Sequence, residues 1–118
     1  MFSFPKEHRL LKRAEFKITL DENIKVVTPH LVVLGVPAQF DKTRMGLIVS
    51  RKVGIAVVRN KVKRLLRESF RSISDHRLPM DIVVIARKPA ANADVHTLKE
   101  SLQSSLVRLA RKIQARVS

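Results

Sequence analysis

The stretch Arg51-Lys-Val-Gly-Ile-Ala-Val-Val-Arg-Asn-Lys-Val-Lys-Arg-Leu-Leu-Arg-Glu-Ser-Phe-Arg71 carries two patterns at once. At ~100° per residue, Arg59, Asn60, Lys63, Arg64, Arg67 and Arg71 fall within one arc of roughly 140°. Val58, Val62, Leu65, Leu66 and Ile73 fall on another face. The spacing predicts a helix over Ala56–Ile73 with one buried side. The stretch also holds eight of the chain's 24 Lys and Arg and a single acid, Glu68. Like charges at i,i+4, such as Arg59 with Lys63 and Lys63 with Arg67, destabilise an isolated helix. A polyanion laid along that face removes the penalty, whereas a merely solvated face usually mixes its signs.

Working outward, Met45–Ser50 and Asp81–Ala86 read as strands on either side of this helix. Its length suits a crossover connection, which makes the two strands parallel. Leu31–Val36 is a third β-branched run, bounded by Pro29 and Pro37. The short polar link Asp41-Lys-Thr-Arg44 predicts that Leu31–Val36 and Met45–Ser50 pair as antiparallel neighbours. Ile24–Val27 adds a shorter strand. Such continuous apolar runs imply that helices cover at least one face of the sheet. Leu10–Leu20, with Phe16 and Leu20 four apart, predicts a first helix that Asp21-Glu22-Asn23 ends. After Asp94, a residue suited to the N-cap, Val95, Leu98, Leu102, Leu106, Leu109 and Ile113 form a core-facing stripe. Arg108, Arg111, Lys112 and Arg116 crowd the end of that last helix, where cations complement the helix dipole or meet RNA. The expected class is α/β (α+β), with about four strands in a mixed sheet and element order α-β-β-β-α-β-α. One domain over 1–118 is expected, with 1–9 a mobile N-terminal arm.

Charge bounds the function. With 24 basic residues against 10 acidic, the net charge is +14 and the isoelectric point about 11.4. Such a chain repels itself and attracts polyanions. Nucleic acid is the economical partner; no apolar run approaches the ~20 residues of a membrane span. There is no cysteine, hence no disulfide, thiolate nucleophile or Cys-based metal site. The beginning of the chain lacks the basic-then-apolar pattern of a secretory signal, so the cytoplasm is the expected compartment.

A search for catalytic groups finds none that could stand alone. His8, His30, His76 and His96 are scattered without metal-ligand spacing. The three glycines, Gly35, Gly46 and Gly54, form no phosphate loop, and there is no nucleophile elbow. If the chain takes part in catalysis, its partner carries the chemistry.

At the basic helix the chain resembles a specific family. Lys52-x-Gly54-x-Ala56-Val57-x-Arg59-Asn60, followed by Lys63-Arg64 and Arg67, is similar to the signature of the bacterial ribonuclease P protein subunit. Arg9-Leu10 with Phe16 resembles the family's opening helix. Gly46–Ser50 resembles the strand before the signature, and Ile85–Pro89 the end of the strand after it. The resemblance implies a two-layer α/β sandwich with a left-handed crossover through the basic helix. It implies a partner, a large catalytic RNA holding the catalytic Mg²⁺ ions, and a substrate, precursor tRNA, whose 5′ leader is removed. Lys52, Arg59, Asn60, Lys63, Arg64 and Arg67 would face that RNA, flanked by Arg51 and Arg71. Gly54 would let the strand end turn closely into the helix. Arg13, Phe16, Lys17, Leu20, Leu34, Arg87 and Lys88 would line the leader-binding cleft, with Phe16 suited to stacking on an unpaired base or to core packing. Many family members have further cleft aromatics where this chain has Leu20, Leu31 and Leu34. Protein-bound metal sites have no assignment, and the like charge implies a monomeric free protein. The competing reading is a small basic ribosomal or other RNA-structuring protein, from which the signature spacing distinguishes it. A DNA-binding regulator is disfavoured because no pair of short helices joined by a glycine turn is present.

Overall fold

The structure is a computed structural model, and it describes residues 24–38, 42–73 and 79–117. The helix expected over Leu10–Leu20 and the arm 1–9 lie outside the described residues. The described elements are strands β1 (Ile24–Val27), β2 (Leu31–Pro37) and β3 (Arg44–Ile48), helix α1 (Ala56–Ser72), strand β4 (Met80–Ala86), a short 3-10 helix (Lys88–Asn92) and helix α2 (Val95–Val117). Nothing in the residue pattern predicts the 3-10 helix; Pro89, at its start, fixes a backbone angle that suits it.

The four strands form one mixed sheet in the order β1-β2-β4-β3. β1 and β2 are an antiparallel hairpin, β2 and β4 are antiparallel, and β3 and β4 are parallel. The crossover through the basic helix is therefore as expected, but the expected pairing of Leu31–Val36 with Met45–Ser50 is not. β4 lies between them. The reason is burial: Asp81, Ile82, Val83 and Val84 are buried in succession, so both sides of β4 are covered and it takes the centre. β3, half-exposed at Leu47 and Ile48, takes the edge. The link between Pro37 and Arg44 then spans two strand spacings, roughly 10 Å, which six residues can cover. It is stitched to the start of β4: the Ala38 N–H donates to the Pro79 carbonyl at 3.1 Å, and the Met80 N–H donates to Thr43 Oγ1 at 3.2 Å.

Both helices contribute to one core. Val62, Leu66, Phe70 and Ile73 from α1 and its end join Leu98, Leu102, Leu106, Leu109 and Ile113 from α2. Against them stand Val26, Leu31, Val33, Met45, Ile82 and Val84 from the strands. Gly35 lies against α2, since a Cβ there would lie 3.3 Å from Leu109 Cδ1. The alternate strand positions, including Leu34, Val36, Asp81 and Val83, point to the opposite face and are buried as well. Asp94 caps α2 as expected. Its Oδ1 accepts the Thr97 N–H at 2.8 Å, and that bond chiefly holds its carboxyl below the ordinary value.

Candidate nucleic-acid interface

The sequence of α1 dictates which side it shows. Val62, Leu66, Ser69 and Phe70 are buried, and these positions recur at the three- and four-residue steps of a helix packed on one side. The basic arc is thereby turned outward. Asn60, Arg64, Arg67 and Arg71 are exposed, while Arg59 and Lys63 lie half-buried on the flank nearer the core. Nε of Arg59 is buried without a hydrogen-bond partner.

The N-terminal end of α1 adds to this field. No side chain caps it, and no acid stands in its first turn. Its first backbone N–H groups and the positive end of its dipole therefore favour an anion. Gly54 brings the chain close to the helix it is about to enter: a Cβ at Gly54 would lie 2.9 Å from Val58 Cγ1. Among the described residues no backbone takes a positive φ, so close approach, not an unusual torsion, is what glycine supplies. Buried Val53 anchors the preceding turn, whose Val53 N–H donates to the Ser50 carbonyl at 3.1 Å.

The topology brings together two basic pairs that lie far apart in sequence. Because β3 and β4 are parallel and Ile48 stands beside Ile85, both strands end at the same edge of the sheet. Arg51 and Lys52 follow β3 there, Arg87 and Lys88 follow β4, and all four are exposed. The 3-10 helix that begins at Lys88 touches α1. Crevices outside the carboxyl ends of parallel strands are recurrent ligand sites. The resemblance assigns these pairs to two surfaces, the RNA-subunit face and the leader cleft. The parallel strands expected from the crossover already imply a common edge, and the register shows that the two strands end level with each other.

Arg87 is also held in place. Its N–H donates to the His30 carbonyl at 2.9 Å and its Nη1 to the Thr28 carbonyl at 2.8 Å, tying the end of β4 to the β1–β2 turn. That turn is fixed in its own right. Thr28 Oγ1 accepts the Leu31 N–H at 3.0 Å and lies 2.6 Å from Ser101 Oγ on α2.

Of the residues expected to line a leader cleft, Arg13, Phe16, Lys17 and Leu20 lie outside the described residues. Leu34 is on the sheet face away from α1 and α2, opposite Val83, and is only 6% exposed. It stands roughly 13 Å along the sheet from Arg87, at 3.3 Å per residue. Among the described residues no group of three or more His, Asp or Glu could hold a metal ion, and no helix is long and apolar enough to cross a membrane.

Comparison with known proteins agrees with this architecture. The family profile "Ribonuclease P" matches residues 4–110. The ribonuclease P protein component of Citrifermentans bemidjiense is 40% identical over 110 residues, which cover 93% of this chain and 95% of the relative. That of Escherichia coli O157:H7 is 42% identical over 103 residues, 86% of each. Among solved structures, the Staphylococcus aureus RNase P protein superposes with a TM-score of 0.75 at 37% identity, over 84% of this chain and 92% of that one. The Thermotoga maritima RNase P protein gives 0.74 at 36% identity, over 85% and 96%. The same mixed sheet, the same crossover helix and this extent of identity together make the chain a member of the ribonuclease P protein component family, which serves tRNA processing.

Proposed function

We propose that this chain is the noncatalytic protein subunit of ribonuclease P, binding the catalytic RNA through α1 and the carboxyl edge of β3 and β4. The observation that carries this reading is the basic arc of α1, exposed at Asn60, Arg64, Arg67 and Arg71 with Arg59 and Lys63 half-buried on its flank, continued past the uncapped helix end to Arg51 and Lys52. Arg and Lys there neutralise phosphates and release counterions. The planar Arg forks can hold a phosphate through two hydrogen bonds, and Asn60 can donate and accept. On this reading the RNA subunit performs the Mg²⁺-dependent cleavage. The described residues of this chain do not fit a resident Mg²⁺ site, because their acids are dispersed and the interface is cationic.

The 5′ leader of precursor tRNA is the second ligand on this reading. Phe16 would stack on an unpaired base, with Arg13, Lys17, Arg87 and Lys88 supplying positive charge. The protein would act as a monomer in the cytoplasm, since self-association must overcome a net charge of +14. The test is reconstitution: the chain is mixed with ribonuclease P RNA and precursor tRNA at low Mg²⁺, and 5′ leader release is followed. Acceleration over RNA alone is the expected result, and no acceleration at any protein concentration refutes the reading.

A further inference from the structure

Two side chains at the start of α1 have no role in the fold described above. Ile55 is 72% exposed and Val57 74%, against at most 49% for the other exposed large hydrophobics among the described residues. Ile55 occupies the N-cap, where apolar residues rank lowest because they offer the first N–H groups no acceptor. Val57 heads the row that continues through Asn60, Lys61 and Arg64 at helical three- and four-residue steps, so it lies beside the basic arc and away from the buried side. Neither capping nor core packing accounts for two β-branched apolar groups here. Local rules broken in this way are expected where a site is built.

The surroundings identify the occupant. Arg51, Lys52, Asn60 and Arg64, with the uncapped helix end, call for anions on both sides of this small apolar spot. A nucleotide joins an anionic phosphate to a flat apolar face, and the face is available only when the base is unpaired. An anionic lipid surface also joins charge to apolar matter, but it needs a continuous apolar helix face, and the outward face of α1 beyond Val57 is polar or charged. We propose that Ile55 and Val57 form an apolar seat for an unpaired base of the partner RNA, with the adjoining phosphates on Arg51, Lys52, Asn60 and the helix N-terminus. This rests on the reading of the chain as an RNA-subunit binder. It adds that α1 selects for an unstacked nucleotide as well as for charge.

Binding of the full chain to ribonuclease P RNA, titrated across monovalent salt, tests the proposal. The Ile55→Ala/Val57→Ala double variant should bind roughly tenfold more weakly at every salt concentration with an unchanged salt slope, because apolar contact releases no counterions. Val57→Ile should bind like the unaltered chain. Val57→Lys is the sharper variant: a purely electrostatic face would bind more tightly with it, whereas the apolar seat requires weaker binding. Unchanged affinity of the double variant, a shallower slope, or tighter binding by Val57→Lys overturns the inference. So does a double variant that loses only affinity for vesicles of anionic phospholipid, or one that alters only self-association. If the unaltered chain fails to bind the RNA, the proposed function falls and this inference with it.

Discussion

Arg44 and Asp81, neighbours across the parallel β3–β4 pair, are joined by two parallel hydrogen bonds. Nε donates to Oδ1 at 2.9 Å and Nη2 donates to Oδ2 at 2.8 Å. Both side chains are largely withdrawn from water. The pair ties β3 to β4 in the observed register, and the two strands end at the edge that Arg51, Lys52, Arg87 and Lys88 follow.

Asp81→Ala should lower stability by about 3 kcal/mol, since it leaves a withdrawn guanidinium without its carboxylate. Replacing both partners, Arg44→Met with Asp81→Leu, should recover most of that loss because no charge is then buried. Denaturant unfolding of the two single variants and the double measures the coupling. Additive losses would mean that the pair does not act as a unit.

Ile55→Asp should set stability against binding. The extended backbone at Ile55 suits a capping residue, and an Asp there gives α1 an acceptor for its first N–H groups. A gain of about 0.5–2 kcal/mol is expected. RNA affinity should fall, because the carboxylate takes the place offered to phosphate. Thermal melting and RNA titration of the same preparation read both effects.

Along the basic face, Arg67→Ala or Lys63→Ala should weaken RNA binding. Each should also lower the magnitude of the salt slope, by roughly 0.7–0.9 for every phosphate left without its cation. Lys61→Ala should matter less, since Lys61 falls outside the arc on the side of Glu68. Equal losses at Lys61 and Lys63 would show that the RNA does not follow the arc.

The cap of α2 should be sensitive to acid. The Thr97 backbone N–H, first among the causes, holds the Asp94 carboxyl below its ordinary value of 3.8. The stabilisation is therefore present above that ordinary value and is lost as pH falls through the lower folded one. Asp94→Asn keeps an acceptor at the cap without a titrating charge. The difference in melting temperature between the two chains should shrink or reverse in the variant's favour from about pH 5 to about pH 2. A constant difference would show that the carboxylate adds nothing.

Local pattern and tertiary structure divide the account of this protein between them. The phase of α1 was legible in the chain because a helix packed on one side must repeat its apolar residues at three and four, and Val62, Leu66 and Ile73 do. Ile24–Val27 and the cap at Asp94 were legible for similar reasons, since β-branched runs and capping oxygens act within a few residues. The basic arc followed from the same periodicity. The parallel relation of β3 to β4 was legible from the crossover, but the separation of β2 from β3 was not. A short link permits antiparallel neighbours, but it also permits two strands that flank a third arriving 36 residues later. Only burial of both sides of β4 decides between them. The common edge of Arg51 and Lys52 with Arg87 and Lys88 follows from the parallel pair, whereas strand order is set by the summed burial of all four strands and both helices. The sequence by itself therefore determined which residues carry charge, which way their helix faces and that β3 and β4 run parallel; the tertiary structure decided that β4 lies between β2 and β3, because burial is summed over the whole sheet.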